Sequence, residues 1–181
     1  MIKVDRRIVK SQSSIKNAFI ELMSEKNLDD ITIQDIADRA NVGRRTIYLH
    51  YLDKFDLLDK LMEEHINELR RLCQTSSELS FVEANLIWFA YFEKNHSFFS
   101  TILTSKGAPS FRSRFLKLVM EELENELNLK EGINQGLNKA IVLPFFGTAI
   151  VGTIESYFTN EIREPAPLVA EQLGRLLERN L

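Results

Sequence analysis

Apolar side chains recur along this chain at intervals of three and four residues, and almost nowhere in strict alternation. Ile15, Ala18, Phe19 and Leu22 stand at i, i+3, i+4 and i+7, which places them on one face of a helix. The pattern predicts a first helix over about 6–26, closed by the polar cluster Asn27-Leu28-Asp29-Asp30. Thr32, followed three residues later by Asp35, has the form of a capping box. A second, short helix therefore begins there, with Ile33, Ile36, Ala37 and Ala40 on one face. Asn41 tolerates the left-handed conformation of a tight turn, Gly43 ends that turn, and a third short helix starts at Arg44. Longer helices are expected over about 54–74, 81–95, 96–105, 109–128, 134–160 and 166–180. The breaks between them fall at 74–77, at Lys106-Gly107-Ala108-Pro109, at 128–134 and at Pro165-Ala166-Pro167. The fold class is all-α. The change from short to long helices separates two parts with a boundary inside 50–70, drawn as 1–55 and 56–181.

Composition agrees with that reading. Seven Gly and four Pro in 181 residues are too few for a turn-rich β fold or for long disordered segments. Cys73 is the only cysteine, so no intrachain disulfide forms, which fits a reducing, cytoplasmic compartment. The start of the chain has no apolar stretch resembling a signal peptide. The charge-free run from Ala140 to Ile154 is interrupted by Pro144, Gly147 and Gly152 and is shorter than the roughly 18 apolar residues of a membrane span. It reads as a buried helix, and no membrane partner is expected. Charge is unevenly placed. Of the 23 Lys/Arg and 26 Asp/Glu, ten and eight fall in residues 1–54, so the net charge is +2 there and −5 in the rest. Lys3, Arg6, Arg7, Lys10 and Lys16 face only Asp5 at the very start, a basic edge suited to phosphate on an otherwise acidic chain.

Residues 41–51, NVGRRTIYLHY, concentrate basic and aromatic groups. At about 100° per residue, Ile47, Tyr51 and Tyr48 fall on the side of Arg44, while Arg45, Thr46, Leu49 and His50 fall opposite. Ile47 and Tyr51, with Val42, can pack on the two preceding helices. An exposed leucine among hydrogen-bond donors is poor solvated surface, but it suits a DNA major groove. There arginine pairs with guanine, an aliphatic group meets a thymine methyl, and hydroxyl, phenol and imidazole groups reach phosphates. Free amides at the start of the second helix, beside Thr32, add another phosphate site. Two short helices joined by a tight turn describe a helix-turn-helix. The competing reading is a helical binding or carrier protein in which this stretch is incidental surface.

Residues 32–54 also resemble the helix-turn-helix of the TetR/AcrR family of bacterial transcription regulators, through Thr32, Ile36-Ala37, Ala40, Val42, Thr46, Tyr48, Tyr51, Lys54 and Leu57-Leu58. With the first helix the likeness covers roughly 8–70. It implies phosphate contacts from Thr32, Thr46, Tyr48, His50 and Lys54, and base reading by Arg44, Arg45 and Leu49 on a double-stranded DNA operator. Gly43 stands where many members have a serine N-cap, and Arg45 where a glycine is common. The resemblance further implies a larger C-terminal helical domain for ligand sensing and dimerisation, a homodimer, and a repressor more than an activator.

The rest of the chain agrees with that division. Leu86 to Phe92 is apolar right round a helix and is expected to be a central buried element. Its rings, with Phe98, Phe99, Phe111, Phe115, Phe145 and Phe146, either fill a core or enclose an apolar small-molecule effector. Trp88, Phe92, Phe115, Phe145 and Thr148 are the candidate lining, with Pro144 expected to kink its helix beside Gly147 and leave room. The last two helices are the expected dimer interface, through Gly147, Ala149, Gly152 and Thr153 and a stripe of Leu168, Val169, Leu173, Leu176 and Leu177. Residues 152–158, GTIESYF, are also similar to a C-terminal subtype that includes activators answering to a protein co-regulator, which keeps that alternative open.

Enzyme chemistry is not expected. His50, His65 and His96 are scattered, and there is no paired-cysteine or His-Glu-x-x-His spacing for a metal, no glycine-rich phosphate loop and no Gly-x-Ser-x-Gly. No cofactor is implied. Glu121, Glu122, Glu124 and Glu126 read as a solvated helix face.

Overall fold

The computed structural model describes residues 6–75, 78–105 and 108–181. Lys3 and Asp5 of the basic edge, and positions 76, 77, 106 and 107 of two expected breaks, lie outside the described residues. The described residues form nine helices and no strand: α1 (Arg6–Glu25), α2 (Ile33–Ala40), α3 (Arg44–Tyr48), α4 (Lys54–Thr75), α5 (Phe81–Lys94), α6 (His96–Thr104), α7 (Ala108–Glu126), α8 (Lys139–Phe158) and α9 (Ala166–Asn180). A single 3-10 turn, Leu28–Asp30, follows α1. The largest departure from expectation is the start of α8, which is set by local polar chemistry. The Asn138 side chain accepts from the Ala140 amide and caps the helix there. Upstream, Gly132 and Gly136 take positive φ (82° and 77°), and buried Asn134 donates to the carbonyl of Asn180 at 2.6 Å.

Contacts divide the chain into two compact units, residues 1–65 and 66–181. In the first, Ile15, Phe19, Ile36, Ile47 and Leu57 are fully buried together with Tyr51. The unit extends beyond the boundary drawn at 55 because the first turns of α4 belong to it. Leu57, Leu58, Leu61 and Met62 are buried, and Lys16 is ion-paired with Glu64. His65 closes this unit. Burial, reinforced by the Lys16 charge, lowers its imidazole from the usual 6.5 to about 4. Between those values the unfolded chain binds the proton and the folded chain does not, so stability is full above pH 6.5 and falls as the pH drops toward 4. Urea unfolding should show a loss of about 1.5 kcal/mol between pH 7 and pH 5 from this residue. His65→Gln should flatten that slope, and an equal slope in both proteins would assign it elsewhere.

In the second unit α5 and α9 pack most extensively. Their approach depends on Gly174, where an added Cβ would stand 2.4 Å from the Val82 Cα. Phe89, Phe92, Phe98, Phe99, Phe111, Phe115 and Phe158 form one ring cluster, with Phe92 and Phe99 centroids 4.9 Å apart at 78°. Edge-to-face contacts of this kind add to burial. α7 is tied to α8 by the Arg112–Glu155 pair at 2.9 Å.

Several expectations change here. α5 is not buried all round, since Leu86 and Ala90 are exposed. Val169, Leu173 and Leu177 of the α9 stripe are buried inside the unit, leaving Leu168 and Leu176 exposed. Space beside Gly147 is filled by Met120 and Leu116 of α7, so no cavity opens there despite Pro144. By length and composition alone α8 is apolar enough to cross a membrane. Its Val142, Leu143, Ile150, Val151, Ile154 and Phe158 are nevertheless buried in this unit, the position of a core helix.

Candidate DNA interface and candidate effector cavity

The turn between α2 and α3 is built from local caps. The Thr32 hydroxyl accepts from the Asp35 amide at 3.1 Å, and the Asp35 carboxylate accepts from both the Thr32 amide and its hydroxyl at 2.8 Å. The Lys26 ammonium at 2.9 Å, and after it these bonds from Thr32, hold the Asp35 carboxyl well below the usual range. At the other end of α2, Asn41 adopts φ 52°, ψ 48°, and the Val42 amide donates to the Ala37 carbonyl. This is the left-handed close that a short side chain tolerates. Gly43 is the N-cap of α3 and supplies no side-chain bond.

α3 is anchored by Ile47 (0% exposed) and followed by Tyr51 (3%), whereas Leu49 is 75% exposed and Tyr48 51%. Arg44 and Arg45 are exposed, and Thr46 and His50 are half-buried. Charge is sorted to match. Lys16, Lys26, Arg39 and Lys60 are ion-paired with Glu64, Asp35, Glu21/Glu25 and Asp56. Among the described residues Arg44 and Arg45 have no such partner. The first turn of α3 therefore presents two available guanidinium groups, with Arg45 on the same side of the helix as exposed Leu49.

Two expected phosphate contacts look different in the structure. Lys54 donates to the carbonyls of Leu28, Asp29 and Ile31 at 2.8, 2.7 and 2.8 Å. An ammonium has three N–H donors, so all are engaged in closing the 3-10 turn, and its side chain has none left for phosphate. The Thr32 hydroxyl is held within the capping box, so that position offers outward only the first-turn amides of α2. Leu52 and Phe55, 81% and 54% exposed, extend the apolar surface next to α3 and were not among the expected residues.

The second unit holds a cavity of about 660 Å³, walled by Trp88, Val119, Leu123, Ile150 and Leu177 among others, with Cys73, Gln74, Ser80, Asn85, Asn125, Glu122, Glu126 and Glu178 as its polar groups. That volume lies within the range of small-molecule sites. Of the candidate lining only Trp88 is in the wall. Phe92 and Phe115 are 0% and 1% exposed within the ring cluster. Phe145 is 66% exposed and Thr148 is exposed, so both face away from the core. The spacing Val119, Glu122, Leu123, Glu126 was the overlooked signal: it marks one face of α7. Burial, with nearby Glu122, pushes the Cys73 thiol up to about 12, against the lowering influence of the Trp88 side chain.

Comparison with known proteins agrees with this geometry. A partial match of 31% identity over 86 residues joins the chain to the uncharacterized HTH-type transcriptional regulator YxbF of Bacillus subtilis (strain 168). It covers 45% of this chain and only 23% of that protein, so the chain spans less than a quarter of that relative's length. Among solved structures, a TetR transcriptional regulator from Streptococcus agalactiae 2603V is 25% identical, with 96% of each chain covered and a TM-score of 0.69. The dihydroxyacetone kinase operon activator DhaS (20% identical, 93% and 94% covered, TM-score 0.69) has the same fold. So has the transcriptional regulator FadR from Bacillus subtilis in complex with stearoyl-CoA (17%, 93% and 98%, TM-score 0.70). Residues 15–61 match the family described as bacterial regulatory proteins, tetR family, and residues 83–179 match the transcriptional regulator C-terminal region of that family. The two matches take in the helix-turn-helix and more than half of the chain besides: this protein belongs to the TetR family of bacterial transcription regulators.

Proposed function

We propose that the protein is a cytoplasmic, ligand-responsive repressor that binds a palindromic operator as a homodimer. The observation that carries the DNA half is α3 itself, where Ile47 anchors the helix while Arg44, Arg45 and Leu49 are exposed, the two arginines without an ion pair among the described residues. Support for a homodimer comes from the exposed apolar residues of the last two helices, Ile141 and Phe145 on α8 and Leu168 and Leu176 on α9. Two copies related by a twofold axis match two half-sites of a palindrome. The cavity in the second unit favours a small-molecule effector over the alternative, an activator answering to a protein co-regulator. An effector that binds one conformer better shifts the population toward it, and the spacing of the two recognition helices with it.

Fluorescence anisotropy against promoter DNA of its own gene tests the reading, with the salt dependence measured. Affinity should fall steeply with salt. Arg45→Ala should relax base choice at one position per half-site, by about 1–3 kcal/mol of discrimination. An unchanged base preference would reassign Arg45 to a phosphate, and salt-independent binding would end the DNA-binding proposal.

A further inference from the structure

The four glutamates of α7 do not form a uniform solvated face. Glu121 is ion-paired with Arg70 and Lys117, and Glu124 with Lys139. Glu122 and Glu126 have no ion pair among the described residues, and both line the cavity. They stand four residues apart on one helix face, where like charges repel. They also sit in the last two turns of α7, a helix with no basic residue in its last turn. The negative end of the helix dipole lies there and favours a cation. Glu178 adds a third carboxylate, with the Val82 amide donating to it at 3.3 Å. Among the described residues no lysine, arginine or histidine is in the cavity wall. The carboxyl of Glu122 is shifted upward, first by burial and then by Glu121 and Glu126, against the lowering influence of Arg70. The rest of the wall carries only neutral groups: polar ones that include Gln74, Ser80, Asn85 and Asn125, and apolar ones that include Trp88, whose ring face attracts a desolvated cation.

We propose that this cavity takes a hydrophobic monocation, a bulky apolar molecule with a quaternary or protonated nitrogen or phosphorus centre held between Glu122, Glu126 and the Trp88 ring. An anionic ligand of the same size would meet three carboxylates and no compensating donor charge. The inference rests on the reading of the second unit as an effector domain and gives that effector a chemical class.

Trp88 is the only tryptophan in the chain, so its fluorescence reports the cavity directly. The full-length protein is titrated with tetraphenylphosphonium and, separately, with tetraphenylborate, which has nearly the same shape and the opposite charge. Saturable quenching by the phosphonium is expected, with the borate at least tenfold weaker. Glu122→Gln, an isosteric change, should weaken the phosphonium about tenfold and narrow the gap between the two ions. Equal binding of both ions, no saturable binding of the phosphonium, or an unaltered affinity in Glu122→Gln overturns the proposal. Adding promoter DNA separates the two ideas. Intact DNA binding without any phosphonium site removes the cation inference alone. Phosphonium binding that leaves the DNA affinity unchanged upholds the cation site and removes the effector reading.

Discussion

Gly174→Ala is expected to destabilise the protein by about 3 kcal/mol, even though alanine favours a helix over glycine by up to about 1 kcal/mol. The added carbon would lie 2.4 Å from the Cα and 2.7 Å from the N of Val82, and 2.9 Å from the carbonyl carbon of Phe81. These are backbone atoms in the first turn of α5, so no rotamer change relieves the overlap. The helices must move apart, and Val169, Ala170, Leu173 and Leu177 lose contacts along the same seam. Urea unfolding followed by far-UV circular dichroism measures the effect as a lower midpoint. An unchanged midpoint would mean that α5 and α9 do not meet backbone to backbone.

Lys54→Met is the second large effect. It keeps the apolar stem and removes three N–H donors from the carbonyls of Leu28, Asp29 and Ile31. A hydrogen bond to a charged group contributes about 1.5–3 kcal/mol, and partial solvent access at Lys54 reduces the sum, so a loss of about 2–3 kcal/mol is expected. The salt slope of DNA binding should stay as in the parent protein, while Arg44→Ala lowers it by about one if Arg44 meets a phosphate. Unchanged stability in Lys54→Met together with a flatter salt slope would return Lys54 to the phosphate backbone.

Lys54 shows how far residue type reaches. A lysine next to a helix-turn-helix has the right chemistry for phosphate, and its position in the family pattern says the same. What engages its ammonium is a 3-10 turn more than twenty residues earlier in the chain, and no spacing rule joins the two. Glu122 and Glu126 make the same point in reverse. Within the run 121–126 all four glutamates look equivalent, yet partners on α4, α7 and α8 neutralise Glu121 and Glu124 only. The candidate cavity aromatics are sorted in a similar way. Phe92 and Phe115 have the composition of a binding site, but other rings surround both, Phe145 faces away from the core, and only Trp88 of that set lines the cavity.

The helices, their caps and the recognition turn could be read from residue order because each depends on interactions within about one helical turn. Thr32 with Asp35, Asn41 in the left-handed region, and Ile47 facing inward opposite Leu49 are settled over three to five residues. Packing across the fold settled the rest. The α5–α9 approach at Gly174, the burial of α9's stripe within its own unit and the carboxylates left unpaired at the cavity all depend on residues dozens of positions apart. Local periodicity says that a helix has an apolar face. It carries no information about which neighbour covers that face, or which charges lie close enough to be neutralised.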